Sequence, residues 1–123
     1  MSESMVKAGE RLDDLEIKGL KIIQHAHAFC FSLDAVLLAH FASVRQGSRA
    51  VDLGTGTGVL AFLLVARGVG QVVGVELNPY MADMAARSVI LNGLEKHIRI
   101  LEADFRQLKG ILPAGEYELV VSN

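Results

Sequence analysis

The sequence predicts an α/β fold built on a parallel sheet, and two observations carry that prediction. From Arg49 onward, short apolar runs alternate with apolar helical segments in the order strand, helix, strand, helix, strand, short helix, strand. Parallel strands need crossover connections of this kind. A glycine cluster, Gly54, Gly56 and Gly58, then sits at the first strand-to-helix junction, where the chain must turn sharply.

Each element has its own signal. Residues 1–11 are polar and are expected to fray. The apolar runs 15–17 and 20–23 flank Lys18-Gly19, which reads as a small hairpin. Ser32 is placed to cap a helix starting at Leu33, with Asp34 in its first turn. Residues 33–41 are apolar around most of the helix and should be largely buried. The run 50–53 is the first strand of the sheet. Val59–Ala66 is an apolar helix stopped by Arg67-Gly68, and Gln71–Glu76 is a second strand. Asn78 caps a helix with Pro79 at its first position, which runs to Leu91 and stops at Asn92-Gly93. Residues 98–101 form a third strand, 105–110 one or two helical turns, and 118–122 a fourth strand. This divides the chain into an N-terminal extension, 1–48, and a sheet domain, 49–123.

Composition sets outer bounds. A chain of 123 residues suits one domain. With 51% apolar and 21% charged residues it has a globular balance. A net charge of -2 and a pI near 6.0 give no global basic field for nucleic acid. Arg11, Lys18, Lys21, His25 and His27 crowd the N-terminal part. That cluster is either a solvated face or an RNA contact, and both stay open. The single cysteine, Cys30, allows no intrachain disulfide. Set between Phe29 and Phe31, it reads as a small buried hydrophobe. His25 and His27 would share one face of a strand, but two histidines without a third ligand make no metal site. No signal core opens the sequence, and no apolar run reaches the ~20 residues that span a bilayer. The expected setting is the cytoplasm, with no membrane and no metal.

The segment Val51-Asp52-Leu53-Gly54-Thr55-Gly56-Thr57-Gly58 is the strongest functional signal. Glycines let the backbone approach a ligand closely, and the free amides of the following helix add a polar, weakly positive rim. A tight turn alone would also use glycines. A dinucleotide loop reads G-x-G-x-x-G, and its third glycine would fall at Val59, whereas here it is Gly58. Glu76, at the end of the second strand, is placed to accept hydrogen bonds from two ribose hydroxyls, a device that NAD enzymes also use. Leu77 follows and could lie against an adenine ring. Asp104-Phe105 follows the third strand, where Asp104 is either a ligand group or the cap of the next helix. The three signals fall at the C-terminal ends of three successive strands, the edge where open parallel sheets bind ligands.

The spacing D-x-G-x-G-x-G resembles the first motif of the class I S-adenosylmethionine-dependent methyltransferases. The resemblance implies a Rossmann-like sheet whose four strands here lie in the order 3-2-1-4, part of a seven-stranded whole. It implies that Gly54, Thr55, Gly56 and Gly58 wrap the methionine part of S-adenosylmethionine, with Asp52 organising the loop and facing the cofactor's amino group. By the same resemblance Asp104 takes the adenine amino group and Phe105 is the aromatic that often follows. In amino-methylating members the fourth strand leads into Asn-Pro-Pro-Tyr or a variant. Leu119-Val120-Val121-Ser122-Asn123 places Asn123 at its first position, where it would accept hydrogen bonds from the target amine. On that reading the chain stops where the catalytic motif begins, although a single residue is also compatible with an ordinary chain end.

The N-terminal segment narrows the resemblance. Leu20-Lys21-Ile22-Ile23-Gln24, followed by Phe31-Ser32-Leu33-Asp34-Ala35-Val36-Leu37-Leu38-Ala39, is similar to the start of the bacterial tRNA(Val) adenine-N6 methyltransferase family. Phe31 and Asp34 are then implied to close over the methionine end of the cofactor; equally, Phe31 is core and Asp34 a first-turn acid. The implied reaction is methyl transfer to an exocyclic amine of a tRNA base, adenine N6. The alternatives are a methyltransferase acting on ribosomal RNA guanine or on a protein glutamine, and a cofactor-binding module without activity. Val59 disfavours an NAD-dependent oxidoreductase. The expected partner is tRNA or another RNA, and an exposed fourth-strand edge would favour homo-oligomers.

Overall fold

A computed structural model describes residues 5–27, 45–108, 117 and 119–122, with Phe105 described by its backbone alone. The expected helix over 33–41, its cap Ser32, and Cys30, Phe31, Asp34 and Asn123 lie outside the described residues.

Four strands form the parallel sheet: β3 (Arg49–Leu53), β4 (Gln71–Glu76), β5 (Ile98–Glu102) and β6 (Leu119–Ser122). Their order is β5-β4-β3-β6. This is the order 3-2-1-4 that the resemblance implies. Val51 of β3 stands opposite Val73 of β4 on one side and Val120 of β6 on the other. Successive residues point to opposite faces of the sheet. On one face, Ala50, Val72, Ile98 and Val121 join Phe62 and Leu64 of helix α1 (Val59–Ala66) and Val89 of helix α2 (Pro79–Leu91) in the main core. On the other, Val51, Val73 and Val75 pack with Leu53, Leu101, Ala103, Leu108 and Tyr117.

The two helices differ as their sequences do. In α1 every residue but Val65 is buried, so it reads as apolar all round. α2 buries one stripe, Ala82, Met84, Ala85, Ser88 and Val89, at helical spacing. Its start is fixed by the Asn78 side chain, which accepts from the backbone N–H of Tyr80 at 2.9 Å and of Met81 at 3.2 Å, with Pro79 at the first position. Gly93, at φ 67°, ends it.

The N-terminal hairpin is present, but its first arm lies earlier than the apolar pattern predicts. β1 is Glu10–Asp14 and pairs antiparallel with β2 (Lys21–His25), Leu12 opposite Ile23. The apolar residues after β1 serve the turn instead: Leu15 and Leu20 are buried in the main core. The Leu15 N–H donates to the Leu20 carbonyl at 3.0 Å. Glu10 and Arg11 are thus strand residues rather than part of a frayed end. A bidentate ion pair from the Arg87 guanidinium to the Glu10 carboxylate, 2.6 Å for each bond, ties β1 to α2.

The outer edge of β2 is finished by side chains of α2. The Ile23 N–H donates to Ser88 Oγ at 2.8 Å. The Lys21 N–H donates to Asn92 Oδ1 at 2.9 Å, while Asn92 Nδ2 donates to the Lys21 carbonyl at 2.6 Å. Ser88 and the C-capping Asn92 are one helical turn apart, so one face of α2 and its cap serves alternate residues of the strand.

Candidate functional site

The glycine loop leaves β3 with Gly54, Gly56 and Gly58 all at positive φ, 70°, 59° and 97°. Side chains added at Gly54 or Gly56 would meet nothing within 4 Å. These two positions need glycine for their backbone conformation, and they leave the space above the loop clear. Gly58 heads α1 and is crowded: a Cβ there would stand 3.1 Å from Phe62 Cε2.

Three attachments hold the loop. Thr55 Oγ1 donates to Asp52 Oδ2 at 2.7 Å beneath it. The Gly56 N–H donates to Glu76 Oε1 at 2.7 Å, and Thr57 Oγ1 donates to Gln24 Oε1 at 3.3 Å. The loop also lies directly on β4. The Thr55 N–H bonds the Val75 carbonyl at 2.9 Å, and a Cβ on Gly74 would come within 2.8 Å of Thr55 Oγ1. Gly74 is therefore required by close approach, a need no local pattern announces.

Asp52 is 1% exposed, and among the described residues its Oδ1 has no hydrogen-bond partner. Burial pushes its carboxyl up to about 6; the nearby Glu76 charge adds to the rise and the Thr55 bond opposes it. Glu76 ends β4. Its Oε2 accepts from the Asn78 N–H at 2.9 Å, so the carboxylate joins the loop to the start of α2. Two bonds leave acceptor sites on both oxygens.

Asp104 stands across from Glu76 after β5. It caps the 3-10 turn Phe105–Gln107, accepting from the Arg106 N–H at 2.9 Å. It also pairs with the Arg106 guanidinium, Nη2 to Oδ2 at 2.7 Å. These bonds from Arg106 hold its carboxyl down to about 2. A cavity of about 290 Å³ is lined by Gly54, Val75, Glu76, Leu77, Ala103, Asp104 and Arg106. Leu77, on its rim, is 62% exposed.

The structure therefore brings Gly54, Glu76, Leu77 and Asp104 to one cavity. Asp52 and Thr55 lie under the loop, Gly56 is bonded to Glu76, and Gly58 starts α1. Sequence reasoning missed Gln24, Gly74 and Arg106. His25 and His27 lie with ring centres 5.8 Å apart, and no group of three or more metal-ligating side chains occurs among the described residues. No described helix is long and apolar enough to cross a membrane.

These residues fit S-adenosylmethionine. Carboxylates at two strand ends offer acceptors for the hydroxyls and amino group of an adenosine. The unpartnered Asp52 oxygen suits a cationic amine. The Glu76 carboxylate on the Gly56 N–H sets negative charge at the amides where a dinucleotide would seat its pyrophosphate.

Comparison with known proteins agrees with this geometry. A family described as "Methyltransferase domain" matches residues 50–123. A tRNA1(Val) (adenine(37)-N6)-methyltransferase of Yersinia pestis (strain Pestoides F) is 36% identical over 92 residues, 73% of this chain and 37% of that protein. A protein of the same name from Flavobacteriaceae bacterium (strain 3519-10) is 25% identical over 107 residues, 86% of this chain and 45% of that protein. The chain spans about two fifths of the length of these curated relatives. Among solved structures, TYW2 of P. horikoshii in complex with MeSAdo superposes with a TM-score of 0.72 at 18% identity, covering 93% of this chain and 42% of that one. A sheet in the order β5-β4-β3-β6, a glycine loop at its first crossover and a family match over more than half of its residues together say that this chain belongs to the methyltransferase domain family, in its class I, S-adenosylmethionine-dependent form.

Proposed function

We propose that the protein transfers a methyl group from S-adenosylmethionine to an exocyclic amine of a tRNA base, adenine N6. The observation that carries the cofactor part is the convergence of Gly54, Glu76, Leu77 and Asp104 on one cavity, with an Asp52 oxygen under the loop that has no partner among the described residues. The curated relatives named above support the substrate. When bound, S-adenosylmethionine supplies a methyl group activated by its sulfonium.

The chain's own residues bind and orient. Glu76 holds the ribose hydroxyls, Leu77 covers one face of the adenine, and Asp104 takes its amino group. Asp52 balances the cationic amine while keeping Thr55, and hence the loop, in place. For Phe31, Asp34 and Asn123, which lie outside the described residues, the proposed roles are contact with the methionine end for the first two and acceptance of hydrogen bonds from the target amine for the third. Positioning of this kind supplies much of the rate without a covalent intermediate. Residues 1–48 act as an extension over the cofactor site and 49–123 as the sheet domain that carries it. A tRNA base must leave its stack to reach the pocket, at least cost from a loop.

Two experiments test this reading. Calorimetric titration should show binding of S-adenosylhomocysteine and none of NAD; the reverse sinks the cofactor assignment. The full-length protein should transfer labelled methyl groups to bulk tRNA and, after nuclease digestion, leave the label in N6-methyladenosine. Label in guanine, or in protein alone, refutes the substrate.

A further inference from the structure

Among the described residues, a buried amide holds the cofactor loop from outside the sheet domain. Gln24 is 5% exposed. Its Oε1 accepts from Thr57 Oγ1 at 3.3 Å, and its Nε2 donates to Asp13 Oδ2 at 2.8 Å. The Asp13 carboxylate also receives the Arg11 guanidinium, Nε to Oδ2 at 2.9 Å. Arg11 Nη1 in turn reaches the Ala26 carbonyl at 2.7 Å. Both ends of the Gln24 side chain are thus used, one on the loop and one on the hairpin.

The place of this contact matters more than its strength. Thr57 lies between Gly56 and Gly58, two residues whose backbone has the greatest freedom to move. Asp52 fixes the loop from beneath and Glu76 from the β4 side. Among the described residues it is the Gln24 side chain that holds Thr57, and Gln24 comes from β2, ahead of residue 50, where the family match begins. β2 itself is seated on α2 by Ser88 and Asn92, so it offers Gln24 a fixed base.

We infer that Gln24 is a positioning residue for the cofactor: through Thr57 it holds the glycine loop in its binding conformation, so that the N-terminal hairpin sets cofactor affinity without touching the cofactor. A loop that must be ordered on binding loses that ordering cost from its affinity, and an anchor made beforehand removes the cost. The inference rests on the cofactor reading proposed above.

The test is a double-mutant cycle on S-adenosylhomocysteine affinity, measured by calorimetry. Gln24→Met keeps the volume and removes both hydrogen bonds, and Thr57→Val removes the hydroxyl from the other end. Each should raise Kd about 3- to 10-fold, the loss of about one neutral hydrogen bond. The double variant should be no weaker than the weaker single, because both changes break one contact. His97→Ala is the control: it removes the contact of His97 Nδ1 with the Gly70 carbonyl, 2.9 Å, before the start of β4, and should lower Tm while leaving Kd within twofold. Multiplying effects in the double variant, or a His97→Ala loss of affinity equal to that of Gln24→Met, overturns the inference. If Gln24→Met does not fold, Thr57→Val alone decides it: unchanged affinity refutes. Wild-type protein that binds no S-adenosylhomocysteine removes the cofactor reading itself, whereas wild-type affinity in both variants removes only this inference.

Discussion

Asp52 governs the response to pH at the scale of single residues. Its carboxyl is raised from 3.8 to about 6 in the folded chain, chiefly by burial. Between those values the folded protein holds a proton that the unfolded chain has lost. The resulting stabilisation is complete below pH 3.8 and is lost as pH rises through 6. Its size is on the order of 3 kcal/mol. Thermal melts of wild type and Asp52→Asn should therefore diverge as pH rises from 4 to 8, with the wild type falling behind. Parallel curves would show that Asp52 ionises freely. At Gly56 the expected effect lies in binding. Gly56→Ala places a methyl group in open space at φ 59°, costing about 1 kcal/mol of stability from the left-handed backbone. S-adenosylhomocysteine affinity should fall at least 30-fold, since the methyl occupies the clear space above the loop. Calorimetry beside a melt separates the two, and a well-folded variant with normal affinity would reduce the loop to a turn.

At the scale of elements, the hairpin and α2 form one unit. Arg87 and Glu10 are each about one-eighth exposed, 12% and 13%. Arg87→Met leaves the Glu10 carboxylate nearly buried without its counterion, and should cost about 3 kcal/mol in a denaturant melt. Changing Glu10 to Gln in that background should recover part of the loss. A cost below 1 kcal/mol would mean that water replaces the guanidinium. The sheet, its helices and their caps were legible in the sequence because each depends on neighbours along the chain: Asn78-Pro79 before α2, Gly54 after β3, an acid closing β4. Glu76 was legible for the same reason. The first arm of the hairpin was not. Its ERLDD pattern is polar, and its pairing depends on β2 and on Arg87, 77 positions away from Glu10. Gly74 and Gln24 were hidden likewise, since their roles exist only once the loop lies on β4 and the hairpin lies beside the loop. Arg106 was overlooked because its side chain is mostly exposed and its part in the cavity comes only through its pairing with Asp104.

For the molecule as a whole, the cavity proposed to take the cofactor is shared by the ends of β3, β4 and β5. Ligand binding should therefore stabilise the sheet as a unit. At 100-fold excess over Kd, S-adenosylhomocysteine should slow hydrogen exchange of the core amides of all three strands by an equal factor, about 2.7 kcal/mol in global opening. Slowing confined to the glycine loop would mean that the site opens independently of the core. The seat of β2 has a further consequence, one of timing. Its backbone bonds to Ser88 and Asn92 span 65 and 71 residues. During synthesis from the N-terminus, the ribosome delivers β2 long before the helix that completes its edge. For that interval the nascent strand carries unpaired N–H and C=O groups beside the apolar Ile22 and Ile23, an open edge of the kind that recruits other strands. The charges of Glu10, Arg11, Asp13 and Asp14 on its partner arm give that emerging segment its solubility until α2 arrives.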